Sequence, residues 1–387
     1  MLEIGRRGRI YVVTEAAYGV HPGHAATDAV RHINFVPTYD PKGKVSTPEK
    51  KDSPGREVGG RFDRRKVAGY SLDLLLRPSG TLNTLPEAHK LLLAAFGSHS
   101  NITLATTVSA APTETGATLT SVVGLAVGGV ISIVVGGVKY ARFITAIAGS
   151  DVSWAPALPA APIVTAVVKS GITYSLSTSL TASLAACHYG KKSDGSAGFK
   201  RQVTGMVVDR LAIALDANDE PRLTFSGGAK EQVTGGAVTA VPAGFTTVGT
   251  QQPPSGLAGA LYVGDDLYRA MKWNIEITNG MQLRNDSFGY DSAEEAYRSG
   301  YRSVAVGLDA RVDDESVLYD PAEAGTNVAM FTQSGFTEGN ILAVRAGQVE
   351  FKVPDTDDPD EAPSWPFKGM ALESVDGAND EITIGLV

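Results

Sequence analysis

A stretch near the middle of the chain returns at its far end, and this recurrence constrains the fold more than any other feature. Gly205-Met206 opens an apolar run, Ala217-Asn218-Asp219-Glu220 turns it, and Leu223-Thr224-Phe225 resumes as an alternating strand. Gly369-Met370, Ala378-Asn379-Asp380-Glu381 and Ile382-Thr383-Ile384 repeat that order. A run, a turn of small and amide residues, and an alternating strand make a hairpin closing a β unit. Other pieces recur in the same order. Leu72-Asp73 returns as Leu308-Asp309, 236 positions on, and Ile33 with Phe35 returns as Trp273 with Ile275 at 240. Pro86, Ala94 and Phe96 return as Pro321, Ala329 and Phe331 at 235. Ordered matches with drifting offsets predict one unit present twice, its loops differing in length.

With 387 residues, 43% of them hydrophobic, the chain can bury a core of two domains. Its 43 glycines and abundant Thr, Ser, Val and Ala predict many short strands, so the fold class is mainly β. The clearest helix spans 86–96, with Thr84 as N-cap, Pro86 and Glu87 in the first turn, and Gly97 as the stop. Its second-unit partner, from Pro321 to Phe331, is weakened by Gly325, Thr326 and Asn327.

After Phe331 the second unit needs only residues 332–340 to reach Ile341-Leu342-Ala343-Val344, whereas 98–171 intervene between the first helix and Ile172-Thr173-Tyr174-Ser175-Leu176. Insertions of this kind sit at surface loops. Residues 98–171 read as a small inserted β-barrel with strands at 122–123, 130–135, 140–147, 152–154 and 163–168, and with Phe143 and Trp154 as core. The domains expected are a first unit of 1–97 and 172–232, the insert 98–171, a Gly/Pro/Thr/Gln-rich linker 233–258, and a second unit 259–387. Each unit is a β-sandwich or barrel with a flanking helix.

Several kinds of chemistry are disfavoured. A net charge of −8 argues against a sequence-independent grip on phosphates. A single cysteine, Cys187, excludes an internal disulfide framework and fits a reducing compartment. Residues 119–138 are uncharged and long enough to cross a bilayer, but the pairs Gly128-Gly129 and Gly136-Gly137 read as strand, turn, strand. His21, His24 and His32 lie in a Gly/Pro-rich stretch without a neighbouring Cys or acidic cluster, so they read as solvated. Cys187-His188 is no dyad, because adjacent strand residues point to opposite faces. The acidic run 355–361 lacks EF-hand spacing and reads as a solvated turn. No phosphate loop, nucleophile elbow or zinc-helix motif is present. The expectation is no catalytic residue, no cofactor and no metal, and a structural or binding task.

A long basic excursion breaks the first hairpin. Lys42, Lys44, Lys50, Lys51, Arg56, Arg61, Arg64 and Arg65 crowd the segment before Tyr70, which reads as a projecting arm able to reach an acidic neighbour. Residues 279–300 are its second-unit counterpart.

This order resembles the tail tube proteins of long-tailed, non-contractile bacteriophages. The residues that carry the likeness are Glu15-Ala16-Ala17-Tyr18-Gly19, the hairpin with its charged loop, the helix after Pro86, the closing strand pair, and Ser153-Trp154-Ala155-Pro156-Ala157-Leu158-Pro159-Ala160 before Gly171-Ile172-Thr173-Tyr174. The resemblance implies tube domains whose inner strands join into a barrel. A doubled chain would close with three copies, in rings that stack into a conduit for double-stranded DNA and satisfy each sheet's open edges. It implies the arm as an inter-ring contact and the insert as an outward-facing decoration. Asp73, Glu276 and Asp309 oppose the apolar faces of their strands and are the luminal candidates, where acid repels phosphate. The partners implied are further copies of the chain, tape measure, tail terminator and tail tip proteins, and DNA in transit without specific binding. The place implied is the virion tail, assembled in the bacterial cytoplasm. The alternatives are a capsid decoration or adhesin-type β protein binding a surface or glycan, and a β-rich hydrolase with its site at the insert.

Overall fold

The computed structural model describes residues 8–40, 44–46, 61–63, 65–179, 183–191, 197–234, 252–311, 315–354 and 364–387. The first strands are β1 (Arg9–Thr14), β2 (Ala29–Val30) and β3 (Asn34–Asp40). A short pair, β4 (Lys44–Ser46) and β5 (Arg61–Asp63), leads to β6 (Val67–Leu75), helix α1 (His89–Phe96) and β7 (Gly97–Asn101). Six strands then close a barrel: β8 (Ala105–Ala110), β9 (Gly116–Leu119), β10 (Val130–Val135), β11 (Val138–Ala148), β12 (Asp151–Ala155) and β13 (Val167–Ser170). Next come β14 (Ile172–Leu176), β15 (Leu184–Lys191), β16 (Ala197–Met206), β17 (Arg210–Asp216), β18 (Arg222–Ala229) and β19 (Glu231–Thr234). Past the connector lie β20 (Gly259–Val263), β21 (Asp266–Tyr268), β22 (Ala270–Thr278), the pair β23 (Met281–Arg284) and β24 (Glu295–Arg298), β25 (Ser303–Arg311) and α2 (Glu315–Ala324). The series ends with β26 (Val328–Ser334), β27 (Leu342–Lys352), β28 (Ser364–Leu372) and β29 (Thr383–Leu386). The chain is mainly β.

The organising layer is a run of eight antiparallel strands in the order β3-β6-β18-β17-β22-β25-β28-β27. Strict alternation builds it: in β6, Ala68, Tyr70, Leu72 and Leu74 are buried while Gly69, Ser71 and Asp73 are half-exposed. The inward faces of these strands join α1's Leu91, Leu92 and Phe96 and β14's Tyr174 in one continuous core. Each large side chain buried there stabilises the fold by about 1.5–3 kcal/mol. A second sheet, β19-β16-β15-β1-β2, carries the amino-terminal strand.

Within the eight-strand layer the ladders define a register that revises the offsets read above. β6 and β25 keep the offset of 236 from Val67–Leu75 to Ser303–Arg311. Asn34 lies opposite Asp73, and Lys272 opposite Asp309, so Phe35 aligns with Trp273 and not with Ile275. A slip of two residues leaves every side chain on the same face, so alternation alone cannot fix it. Thr224 lies opposite Asp73 and Pro366 opposite Asp309, so β18 aligns with β28. The match of 223–225 to 382–384 is therefore corrected: β29 sits between β14 and β27, away from the place β18 occupies.

The helices also differ from expectation. α1 begins later than Thr84: its N-cap is Ala88, without a side-chain bond, and Thr84 N–H closes an earlier turn onto Thr81 O at 3.2 Å. Gly97 ends it in the left-handed region. α2 lies before the predicted position and encloses Pro321, whereas Ala329 and Phe331 belong to strand β26. Gly325, at φ 64°, stops the helix, and β20 and β27 pair with β26 on either side. The repeat match suggests a helix here, but two-sided ladder bonding makes the segment a strand.

In the barrel, Gly136-Gly137 (φ 58° and 82°) forms the two-residue turn that sets Val135 opposite Val138. Residues 122–123 are not a strand, and Val123 is exposed. The Thr- and Ala-rich strands β8 and β9 had no apolar run to reveal them. Trp154 lies in the barrel core, its indole N–H donating to Glu114 O at 2.9 Å. Phe143 instead points out of the barrel, onto Phe331 of β26 at 6.1 Å between ring centres. No helix among the described residues is long and apolar enough to cross a membrane.

Candidate functional site

The eight-strand layer turns one face toward the core and the other, polar face outward. The structure brings Asp73, Glu276 and Asp309 onto it together, because all three alternate with buried neighbours in strands of one sheet. Asp73 and Glu276 share a single row across the sheet, which runs Asn34, Asp73, Thr224, Ala212, Glu276, Ala305, Met370, Glu350. Thr224 Oγ1 donates to Asp73 Oδ1 at 2.8 Å. Asp309 lies outside that row, opposite Lys272, which is also opposite Asp216.

Bases accompany the acids. Arg210 pairs with Glu276, Lys272 faces Asp309, Arg222 lies on β18 between β6 and β17, and Lys368 and Lys352 lie on β28 and β27 beyond β25. The face is therefore banded with both signs and padded by Ala212, Ala214, Ala305 and Gly307, not simply acidic. Alternation alone puts the three acids on the polar faces of their strands but does not reveal which bases lie across from them.

Two hairpin arms spring from one end of the layer. β4 and β5 pair with Lys44 opposite Asp63 and Ser46 opposite Arg61, and β23 and β24 pair with Met281 opposite Arg298. Lys42, Lys50, Lys51, Arg56 and Arg64 lie outside the described residues, as does the acidic run 355–361. The arms touch each other at their bases. Arg65 donates to Ser287 O, and Lys66 Nζ lies 2.7 Å from Asp291 and 3.0 Å from Glu231. The bond to Lys66 holds the Asp291 carboxyl below its ordinary range. Arg65 is thus committed within the chain. Asn279, fully buried, roots the second arm by donating to Ala95 O of α1 at 3.0 Å and Val208 O at 3.2 Å.

The segment after β1 is held by Glu15, which is 8% exposed. It accepts from Gly19 N–H at 2.8 Å, Ser183 Oγ at 2.7 Å and Gly205 N–H at 2.9 Å. Glu15→Ala leaves these donors without their acceptor. It should cost about 3 kcal/mol, since bonds to a charged acceptor contribute about 1.5–3 kcal/mol each and are partly replaced by water. Urea denaturation measures this; a loss below about 1 kcal/mol would mean water fully substitutes.

The insert is docked, not tethered. Arg142, fully buried, donates to Ala141 O at 2.7 Å and Ala157 O at 2.9 Å and lies over the rings of Tyr140, Tyr262 and Phe331. Lys139 and Lys169 converge on Glu338 at 2.7 and 2.8 Å and hold its carboxyl below the ordinary range. Cys187 and His188 are separate, as expected: Cys187 is buried beside Tyr11 and Tyr189, while the His188 ring meets His32, Phe35 and Phe199. Burial pushes the His188 imidazole down to about 4.

A search of curated proteins found no match. The model of one family, described as "Phage tail tube protein", matches residues 5–369, from before β1 into β28. That span takes in both arms, the inserted barrel and nearly all of the eight-strand layer. With its mainly β architecture and its open, charge-banded sheet, the chain belongs to the phage tail tube protein family, a structural component of the virion tail that self-assembles into a tube.

Proposed function

We propose that three copies of this chain close into a ring with sixfold character, and that rings stack into the tube of a long, non-contractile phage tail through which DNA leaves the virion. The observation that carries this reading is the seam inside the chain. Strands β3-β6-β18-β17 are followed by β22-β25-β28-β27, the same arrangement twice, and β17 pairs with β22 over seven residues from Arg210 opposite Thr278 to Asp216 opposite Lys272. A doubled unit that mates head to tail within a chain has the surfaces to do so between chains, and three such chains close without a free edge.

The internal seam also supplies a register for the seam between copies. In the alignment above, Arg210 corresponds to Lys352 and Thr278 to Asp40, so Lys352 of one copy comes opposite Asp40 of the next. Asp73, Glu276 and Asp309 then face the lumen. Their bands of paired charge and small side chains leave no continuous basic track on which phosphates could settle. The arms reach the adjacent ring. Assembly proceeds in the host cytoplasm around a tape measure protein, between tail tip and terminator proteins.

Electron microscopy of the concentrated protein tests this reading. The expected result is hollow filaments of constant diameter, with three copies per ring and β3 beside the β27 end of its neighbour. Like charges placed opposite each other cost up to about 1 kcal/mol per pair. Asp40→Lys or Lys352→Glu alone should therefore raise the concentration needed for filaments by about ten-fold over three seams, and the double reversal should restore it. Rings of another number, or single reversals without effect, would overturn the seam.

A further inference from the structure

The chain's one cysteine meets two histidines that the sequence keeps 163 or more positions away. His21 and His24 lie on the loop after β1, and Cys187 lies on β15, opposite Tyr11 of β1. One ligand atom of each comes within 4.8 Å of the others, with the histidines half-buried and the cysteine buried. The solvated reading of these histidines fails because the cysteine they lacked in sequence arrives through the β1–β15 ladder. Two of the ring nitrogens there are shielded from solvent and have no hydrogen-bond partner among the described residues: His21 Nε2 and His24 Nδ1. Leaving such atoms unmatched costs about 1–3 kcal/mol each.

We propose that His21, His24 and Cys187 form a binding site for a transition-metal cation of the zinc type, with water in the fourth position. Two imidazoles and a thiolate are a donor set suited to tetrahedral zinc, with Zn–N near 2.0–2.1 Å and Zn–S near 2.3 Å. These lengths bring the donors to about 3.5 Å from one another, so the loop closes by about 1 Å as the metal enters.

The surroundings prepare the ligands. The Tyr189 hydroxyl lies 3.1 Å from His24 Nε2, and donation from Nε2–H to that oxygen leaves the lone pair on Nδ1. The Tyr11 ring lies 4.7 Å from His24 and walls the site on the sheet side. Burial holds both imidazoles below their ordinary range. Burial raises the thiol above its ordinary value.

The protons balance. Cys187 releases its thiol proton to solvent. Gly23 N–H donates to His21 Nδ1 at 2.9 Å, so the neutral ring carries its proton on Nε2; on loading, Nδ1 takes a proton, Nε2 loses one, and Gly23 N–H turns to water. Lys200 opposes an incoming cation, and the thiolate charge offsets it. The bound ion would clamp the loop that Glu15 begins onto the β15 sheet.

Cobalt titration of the chelator-stripped protein tests the site. The expected result is one Co²⁺ per chain with a near-ultraviolet sulfur-to-cobalt charge-transfer band, displaced by Zn²⁺, and a higher Tm with zinc. Cys187→Ser should abolish the band. His21→Ala and His24→Ala should each weaken cobalt binding by about 10–100-fold. Both histidines are on a surface loop, so their variants report even if Cys187→Ser fails to fold. No band in the wild type, or a band unchanged in the two histidine variants, would overturn the proposal.

Discussion

Gly227→Ala should unfold the eight-strand layer, with a loss of about 4 kcal/mol and a steep fall in soluble yield. A Cβ at this position lands 2.0 Å from Val207 O and 2.9 Å from Asp209 N, both backbone atoms. Neither can step aside. Val207 N–H donates to Gly228 O and Asp209 N–H to Ser226 O, each at 3.0 Å, while Val207 O accepts from the buried Tyr70 hydroxyl at 3.1 Å. Relieving the overlap breaks these bonds where the chain enters β17, the strand that joins the two halves of the layer. Gly300→Ala is the control: nothing lies within 4 Å of its Cβ, and it should change stability by less than about 0.5 kcal/mol. Urea midpoints for the two variants decide the matter. Equal midpoints would mean that the turn at 207–209 relaxes freely.

Excising the inserted barrel should leave a protein that aggregates rather than a clean tube subunit. The ends are easily joined, because Asn101 lies opposite Ile172 across β7 and β14, and a two-residue turn would bridge them. The difficulty is what the barrel covers. Phe331, Ile341, Ala343 and Val387 are at most 3% exposed beneath Val130, Ala141 and Phe143. Uncovering them forfeits about 6 kcal/mol of apolar burial and leaves a sticky patch. Gln333 would lose its bonds to Ala141 N–H and Lys139 O, and Glu338 both of its lysines. A companion variant, with the excision plus Phe331→Gln and Ile341→Thr, should regain solubility and form filaments. Light scattering and microscopy separate the outcomes: soluble filaments from the simple excision would show the interface to be dispensable. The length of the insertion marks a separate domain but says nothing of this face, because Phe143 looks like any other barrel residue in sequence.

The placement of the luminal candidates follows the same pattern. Alternation in Leu72-Asp73-Leu74 and Leu308-Asp309-Ala310 was enough to assign each acid to the polar face of its strand. That Arg210 reaches Glu276 and that Lys272 opposes Asp309 depended on strands far apart in the chain. The arms divide likewise. Their existence was legible in the basic excursion before Tyr70, whereas the mutual contact of Arg65 and Lys66 with Ser287 and Asp291 was not.

By itself the sequence determined what repeats locally: the two-residue alternation of β6, β22 and β25, the apolar face of α1 and its stop at Gly97, and the glycine pair that turns β10 into β11. These follow from backbone sterics and from which faces must leave water, and both act over a few residues. Only the tertiary structure decided partners and register. A strand displaced by two residues keeps its faces, so sequence could not tell Phe35 opposite Leu72 from its neighbours, could not seat β29 between β14 and β27, and could not bring Cys187 to His21 and His24. Those choices are made by ladder bonds and core packing between segments from about forty to more than two hundred residues apart, and such energies leave no local mark on the chain.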